Sequence, residues 1–239
     1  MSSPATPTPP GPPCPVCGQT VTGAAPGSGE VRRCPNRWCR RPDRGFSVAF
    51  SVGLHQGGLR WAITRYKYRG DRALAAVFAG AVASYLDGHR SWFEEFDLLT
   101  AVPTYLGPGA RRSWDPVGTI LSALAARLGD SWAVSSRAVT KVRETPGMAG
   151  RSWAERQDLA RGPLRASLAV PDPELVAGRQ VLVLDDVLTE GSTLREVARA
   201  LRRAGASDVA GLVLARPPWA PAPPGRAEPA VPGSGAAAR

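Results

Sequence analysis

Several features that identify common classes of protein are missing from this chain. No run of 18 or more apolar residues occurs, so no segment has the composition of a transmembrane helix. Residues 1–13 are rich in proline, serine and threonine, and they lack the basic start and apolar centre of a signal peptide. The sequence therefore predicts a cytoplasmic protein without a membrane span.

The usual glycine-rich nucleotide motifs are missing too. Neither GxxxxGK[ST] nor GxGxxG occurs, which argues against an ordinary P-loop NTPase and against a dinucleotide-binding fold. Histidine is scarce, with only His55 and His89. Both fall in predicted loops, and we assign neither a catalytic role.

Acidic residues are fewer than basic ones. The 30 lysines and arginines against 20 aspartates and glutamates give a formal net charge of +10 and a pI near 10.4. Such a charge favours anionic partners, either phosphorylated metabolites or nucleic acid. An arginine-rich composition set by a GC-rich genome would give the same charge, so composition alone does not choose between the two explanations.

Cysteine is confined to one short N-terminal segment. The four cysteines form a C-x2-C pair and a C-x4-C pair: Cys14, Cys17, Cys34 and Cys39. Thiolates at these spacings can converge on one ion, and a segment this small has no core of its own, so we predict a structural tetrahedral Zn²⁺ site. Two disulfides or four unrelated thiols are the alternatives.

Basic residues surround the second cysteine pair, with a tryptophan among them. They are Arg32, Arg33, Arg37, Trp38, Arg40, Arg41 and Arg44. The cluster would suit single-stranded DNA, because arginine meets phosphates and tryptophan stacks on a base. A solvated basic surface is the alternative.

Residues 180–193 carry the clearest functional signal in the sequence. The apolar run from Val181 to Leu184 ends in Asp185 and Asp186, and a Thr-x-Gly-Ser-Thr turn then leads into a helix predicted from Leu194 to Arg203. We interpret this block as a strand, a loop and a helix start. In a parallel sheet the two acids would face the crevice at the carboxyl end of the strand.

The turn after the acids has the chemistry of a phosphate site. Gly191 lets the backbone approach a ligand, Thr189, Ser192 and Thr193 offer hydroxyls, and the N–H groups of the helix start favour an anion. Glu190 adds a negative charge that is tolerated there only if its side chain points outward. Two carboxylates would repel a bare phosphate but can accept hydrogen bonds from the vicinal hydroxyls of a ribose. One ligand satisfies both halves, a ribose that carries a phosphate; the alternative is an acidic turn followed by an ordinary helix cap.

The remaining pattern is that of alternating strands and helices. Strands are predicted over residues 46–52, 59–66, 96–103, 164–170 and 209–215, and helices over 73–86 and 115–128. Pro116 suits the first turn of a helix that Asp115 caps. Residues 143–161 form a long polar insertion, broken at Thr145-Pro146-Gly147, of the kind that makes lids.

A second candidate loop follows the strand predicted at 96–103. It carries Arg111 and Arg112, and in a parallel sheet it would lie beside the Asp185 loop. Either arginine could there meet a diphosphate with two parallel hydrogen bonds. An exposed basic turn is the alternative.

The block from Val181 to Thr193 resembles the phosphoribosyl-diphosphate signature of type I phosphoribosyltransferases. In that signature an apolar strand is followed by Asp-Asp, two apolar residues and Thr-x-Gly-x-Thr. The resemblance implies that Asp185 and Asp186 hold the ribose hydroxyls, that the loop from Thr189 to Thr193 cradles the 5′-phosphate, and that Mg²⁺ accompanies the diphosphate.

A longer series of motifs resembles the ComF family of competence proteins, over nearly residues 14–216. It comprises the cysteine pairs, Lys-Tyr-Arg-Gly-Asp, Val-Pro-x-x with downstream arginines, Arg-x-Thr-Pro, Ala-Glu-Arg and the Asp-Asp block. The resemblance implies that Val102 to Tyr105 forms the diphosphate loop and that Arg143 to Arg161 forms a mobile loop over the site. The chain departs from the family pattern at Arg112-Ser113-Trp114-Asp115, where Arg-Gly-Phe-Asn is usual, and at Leu159, where Asn is expected.

These observations predict a doubly wound, mostly parallel α/β domain over residues 46–216, preceded by a zinc ribbon over 14–45, with a disordered lead (1–13) and tail (217–239). The leading hypothesis is a protein that binds phosphoribosyl diphosphate with Mg²⁺ and transfers phosphoribosyl to an unidentified base. Asp185 and Asp186 would act on the ribose, and Thr104 with Arg111 or Arg112 on the diphosphate. The alternative is a non-catalytic protein of DNA uptake or single-stranded DNA handling. The sequence indicates no oligomeric state.

Overall fold

The computed structural model describes residues 14–17, 34, 39, 41, 43–147 and 150–218. The elements in this part of the chain are strands β1 (Ala49–Leu54), β2 (Leu98–Ala101), β3 (Thr140–Lys141), β4 (Leu168–Ala169), β5 (Gln180–Val187) and β6 (Asp208–Arg216), and helices α1 (Gly57–Arg69), α2 (Leu74–Gly88), α3 (Pro116–Leu128), α4 (Trp153–Leu159), α5 (Arg165–Ser167) and α6 (Ser192–Arg203). The predicted lead and the end of the predicted tail, residues 1–13 and 219–239, lie outside the described residues.

Four strands form one parallel sheet in the order β1-β6-β5-β2. The strand β5 is central and is buried along most of its length, because it pairs with β2 on one side and with β6 on the other. The prediction of a doubly wound parallel sheet is confirmed. The short strands β3 and β4 form a separate antiparallel pair.

Helices cover both faces of this sheet. Alternate residues of β5 point to opposite faces, so that Leu182 and Leu184 pack with α1, α2 and α3, whereas Val181 and Val183 pack with α6. Gly211 of β6 leaves room for the Leu194 side chain, because a Cβ on residue 211 would clash with this side chain. The first turn of α6 therefore packs closely on the sheet, beside the carboxyl end of β5.

Two helix starts follow from local sequence. The Asp115 side chain accepts a hydrogen bond from the Gly118 N–H, and Pro116 occupies the first turn of α3, as predicted. Ser152 and Glu155 form a reciprocal capping box at the start of α4. The polar insertion over residues 143–161 thus contains a short, well-capped helix.

Two of the strand predictions are wrong. Residues 59–66 belong to α1, because Leu59, Ala62, Ile63 and Tyr66 recur at helical spacing and turn toward the helical core. Most of residues 164–170 is helical as well, and only β4 is extended. Short apolar segments of this kind do not distinguish helix from strand by composition alone.

None of the helices in the described part of the chain has the length and apolar character that crossing a lipid bilayer requires.

Candidate functional site

A cleft of about 400 Å³ opens where β1, β2 and β5 end at their carboxyl termini. Helix α1 supplies one wall, the start of α3 another, and α4 approaches from above. The lining residues are His55, Ile63, Thr64, Lys67, Tyr68, Val102, Thr104, Arg112, Pro116, Val117, Arg156, Asp185, Asp186, Val187, Thr189 and Thr193. The cleft therefore brings together the acids of β5 and two threonines of the following turn.

The two acids at the end of β5 are almost buried, at 9% exposure for Asp185 and 8% for Asp186. The ammonium of Lys67 lies 2.7 Å from a carboxylate oxygen of Asp186. The Asp186 N–H donates to the Asp185 carboxylate at 2.8 Å. The Lys67 ammonium thus faces two carboxyl groups, and further hydrogen-bond donors would be needed to pair all of their oxygen atoms.

Burial raises the pKa of Asp185 to about 7, and the adjacent charge of Asp186 adds to the effect, although Lys67 opposes it. Burial lowers the pKa of Lys67, but its carboxylate neighbours outweigh burial and the net change is upward. Lys67 is therefore a permanent cation of the cleft, while Asp185 titrates near neutral pH. A ligand that donates hydrogen bonds or brings positive charge would favour the ionised form of Asp185.

The turn between β5 and α6 depends on Gly191. Its φ is +69°, in the left-handed region that other residues rarely adopt, and a Cβ here would lie 3.4 Å from the Phe46 ring. The turn and the first residues of α6 enclose a small cavity of about 40 Å³, lined by the segment from Val187 to Leu194 together with Arg156 and Asp185. The predicted phosphate turn is thus a concave feature that adjoins the cleft.

Glu190 does not point outward, since it is half-buried and its carboxylate accepts a hydrogen bond from Arg156 at 2.6 Å. Burial raises the pKa of Glu190, and Arg156 opposes this change. One further atom of each partner, Arg156 Nε and Glu190 Oε2, is buried without a hydrogen bond. The ion pair neutralises Glu190 and brings a guanidinium to the boundary between cleft and turn.

A second contact ties α4 to the turn. The Gln157 amide donates to Ser192 Oγ at 3.0 Å and accepts from Arg195 at 3.2 Å. Arg195 in turn donates to Glu196 at 2.7 Å, and Arg195 and Glu196 are both fully buried. A continuous polar network therefore runs from the turn into the interior beneath α4.

Of the two loop arginines, Arg112 lines the cleft and Arg111 does not. Arg112 donates to the Lys67 carbonyl at 3.1 Å and lies over the Tyr68 ring. Arg111 is exposed and bonds instead to the Glu144 carboxylate and the Thr145 carbonyl. Thr104 lines the cleft, and its hydroxyl donates to the Asp115 carboxylate at 2.9 Å.

Sequence reasoning missed Lys67, Arg156 and Gln157 as individual site residues. Lys67 follows a segment that the sequence pattern predicts as a strand, so its direction could not be inferred. Arg156 and Gln157 lie in the insertion predicted to form a lid, but nothing in their local pattern distinguishes them from solvated residues. The capping box before them indicates that an ordered helix presents them, and the Ala-Glu-Arg motif ends at Arg156.

The cysteines form a separate cluster. The four Sγ atoms lie within 4.8 Å of one another, with 3.7 Å between those of Cys17 and Cys34. Tetrahedral Zn–S bonds of about 2.3 Å place sulfurs about 3.8 Å apart, so the arrangement fits one zinc ion. The pKa of the Cys39 thiol is raised by hydrogen bonding with Cys17, by burial and by the neighbouring thiols. Four thiolates without a metal ion would therefore not coexist here.

Most of the predicted arginine cluster around Trp38 lies outside the described residues.

The chain is similar to several known proteins. Residues 107–225 match the family described as phosphoribosyl transferase domain. The DNA utilization protein YhgH of Salmonella typhi is 31% identical over 120 residues, which is 50% of this chain and 49% of the relative. Competence protein F of Haemophilus influenzae is 28% identical over 190 residues, covering 78% of this chain and 79% of the relative. A hypoxanthine phosphoribosyltransferase from Staphylococcus aureus aligns over 61% of this chain and 64% of its own, at 11% identity and a TM-score of 0.37.

The parallel sheet, the acidic strand end and the domain match define a protein of the phosphoribosyltransferase fold. Within that class its competence and DNA-utilization relatives support a protein of the ComF family. It spans about half the length of the first of these relatives.

Proposed function

We propose that the cleft binds phosphoribosyl diphosphate together with Mg²⁺ and that the protein transfers the phosphoribosyl group to a base. One observation carries the proposal: Asp185, Asp186, Thr189 and Thr193 line the same cleft, with the concave turn directly beside it. Vicinal hydroxyls and a phosphate ester occur together on a ribose phosphate, which would engage both features at once.

Each group has a distinct task in this proposal. Asp185 and Asp186 accept hydrogen bonds from the ribose hydroxyls, and the turn from Thr189 to Thr193 supplies backbone N–H groups and hydroxyls to the 5′-phosphate. Arg112, with Thr104 on the same wall, faces the diphosphate. Positive charge develops at the anomeric carbon as diphosphate leaves, and the carboxylates stabilise it. The protein's contribution is thus to orient the sugar and to balance charge, without a nucleophilic side chain.

The acids of β5 also fit Mg²⁺. This ion is commonly bound by one or two carboxylates together with substrate phosphates, and it keeps several waters. Asp185 and Asp186 present two carboxyl groups to one lysine, so a further cation is electrostatically favourable there. Bound Mg²⁺ would offset the charge of the leaving diphosphate.

Isothermal titration calorimetry tests the binding step. We expect Mg²⁺-dependent binding of phosphoribosyl diphosphate by the wild type and its loss in the double variant Asp185→Asn, Asp186→Asn. The control variant Asp87→Asn, Asp130→Asn makes the same change of charge at two exposed positions and should bind as the wild type does. Retained affinity in the β5 variant would refute the assigned roles.

Release of diphosphate in the presence of a panel of nucleobases tests the transfer step. A rise in diphosphate with one base, absent in the β5 variant, would identify the acceptor. Binding without release for every base would limit the function to ligand binding.

A second candidate function is the handling of single-stranded DNA without catalysis. The names of the relatives favour it, since they refer to competence and DNA utilization. The arginine-rich segment around the cysteines is the proposed surface, and substitution of Arg32, Arg33, Arg37 and Arg40 by Ser would then weaken DNA binding. Diphosphate release that persists in this variant would separate the two functions.

We also propose that the cysteine cluster holds a structural Zn²⁺, because four thiolates leave no open coordination position. Metal analysis of protein purified under reducing conditions should give about one zinc per chain. The variant Cys17→Ser, Cys34→Ser should lose it. Zinc-free wild-type protein that folds normally would contradict the assignment.

A further inference from the structure

A second concave surface lies at the carboxyl-terminal end of α6, at the opposite end of this helix from the phosphate turn. It is a groove of about 1040 Å³ between α6, α5 and the β3–β4 pair. Four arginines line it, Arg143, Arg161, Arg165 and Arg203, and none of the acidic residues that the structure describes does. We call this surface the basic groove.

The charge of the basic groove is not neutralised from within. Among the described residues, Arg143, Arg161 and Arg203 have no ion-pair partner, and all three are exposed. Arg165 does pair, through Nε and Glu196 at 2.8 Å. The Glu196 carboxylate is fully buried and also pairs with Arg195, so its single negative charge is shared between two guanidinium groups. The groove therefore presents several guanidinium groups ready for an anion.

A second cavity of about 510 Å³ adjoins the basic groove at Arg203. Arg203 lines both, and the second cavity adds Arg44, Arg199 and Arg202. Asp43 and Asp208 pair with two of these residues, so the positive charge is densest in the first cavity. The arginines of the two cavities together exceed what one phosphate group can contact, and this favours a ligand with phosphates in series.

We propose that the basic groove binds the phosphodiester backbone of nucleic acid. Arginine's planar fork matches phosphate oxygens with two parallel hydrogen bonds. An acidic protein segment fits less well, because protein interfaces depend on large apolar anchors. None of the large apolar side chains that are exposed in the described part of the chain lines this groove, and its apolar lining consists partly of the small residues Ala200 and Ala204.

The residues that line the basic groove also predict which part of the nucleic acid it contacts. Among the described residues no aromatic side chain lines the groove for stacking, so contacts with the backbone should dominate. Binding should be independent of base sequence and should weaken steeply with salt. This surface is distinct both from the cleft and from the arginine cluster around Trp38, and it does not depend on the proposed transferase activity.

Fluorescence anisotropy of a labelled 20-nucleotide single strand, and of the matching duplex, tests the proposal on the full-length chain. The variant Arg161→Glu, Arg203→Glu reverses two exposed charges of the groove. The control Arg90→Glu, Arg127→Glu makes the same charge change on α2, α3 and their connection, which cover the opposite face of the sheet. Thermal unfolding checks that both variants are folded.

We expect the groove variant to bind at least about tenfold more weakly than the control, with a slope of log affinity against log salt that is smaller by about 1.4 for the single strand, because two phosphate contacts are lost. Loss of affinity for only one of the two probes would identify the strand form. Equal affinity of groove variant and control would overturn the proposal. Binding of poly-glutamate that is as tight as the oligonucleotide and equally sensitive to the groove variant would also overturn it, in favour of an acidic protein partner.

Discussion

The substitution Asp185→Asn tests whether the surroundings at the end of β5 keep the Asp185 carboxyl group protonated at pH values at which an exposed carboxyl group is ionised. Burial and the Asp186 charge raise the pKa of Asp185 from the ordinary value of 3.8 to about 7 in the folded protein. A group with a raised folded-state pKa binds more protons in the native state. Its stabilising contribution is complete below the unfolded-state pKa and is lost as pH rises through the folded-state pKa. The free protein should therefore lose stability between about pH 4 and pH 7 on account of this residue.

The magnitude follows from the two pKa values. Between pH 5 and pH 8, a shift of this size makes the free energy of unfolding fall by about 2–3 kcal/mol. The asparagine introduced by this substitution cannot ionise, yet its carbonyl oxygen can still accept the Asp186 N–H. The variant should therefore be as stable as the wild type near pH 5 and more stable at pH 8, with a melting temperature about 4–12 °C higher.

Urea unfolding of both proteins in the ligand-free state, at pH 5, 6, 7 and 8, measures the difference directly. Other titrating groups are common to the two proteins, so the difference between the curves isolates Asp185. If the two curves run parallel across this range, Asp185 ionises near its ordinary pKa and the account of its surroundings is wrong.

Three further predictions concern the neighbours of this acid. Replacing Lys67 by Met should move the pH-dependent loss of stability to higher pH, because Lys67 lowers the pKa of Asp185; an unchanged midpoint in urea unfolding would contradict this. Replacing Gly191 by Ala should lower the free energy of unfolding by about 1–2 kcal/mol, because φ is +69°, and no change would show that the turn is not so constrained. Replacing Gln157 by Leu should cost about 1–3 kcal/mol in the same assay, since Ser192 and Arg195 lose a buried partner, whereas the exposed control Gln56→Leu should cost far less.

The junction between β5 and α6 could be predicted because its signals are local. An apolar run, paired acids, a glycine and hydroxyl residues follow one another within 14 positions, and each constrains its immediate neighbours. The cap of α3 at Asp115 was predictable for the same reason. Local hydrogen bonds and backbone preferences act between residues near in sequence, so they can be identified without a fold.

The partners of this junction could not be predicted in the same way. Lys67 meets Asp186 only because α1 is a helix that packs beside β5, and residues 59–66 were predicted as a strand although their apolar residues recur at helical spacing. Arg156 reaches Glu190 across 34 residues of sequence. The positions of such groups depend on how elements pack, and composition alone gave only an excess of positive charge.

That excess charge is distributed unevenly, and its distribution constrains what each surface can bind. In the cleft and turn, Lys67 is paired with Asp186 and Arg156 with Glu190, so a phosphate that recruits Arg156 must compete with an internal carboxylate. Such exchange is costly for an anion that arrives alone, because Glu190 would be left buried without a partner. A ligand that brings its own cation gains a separate favourable contact, because the cation can pair with the acids of β5. If the proposed function is right, the cleft should therefore prefer a metal-bound diphosphate to simple phosphate, whereas Arg143, Arg161 and Arg203 of the basic groove, which have no ion-pair partner among the described residues, impose no such requirement.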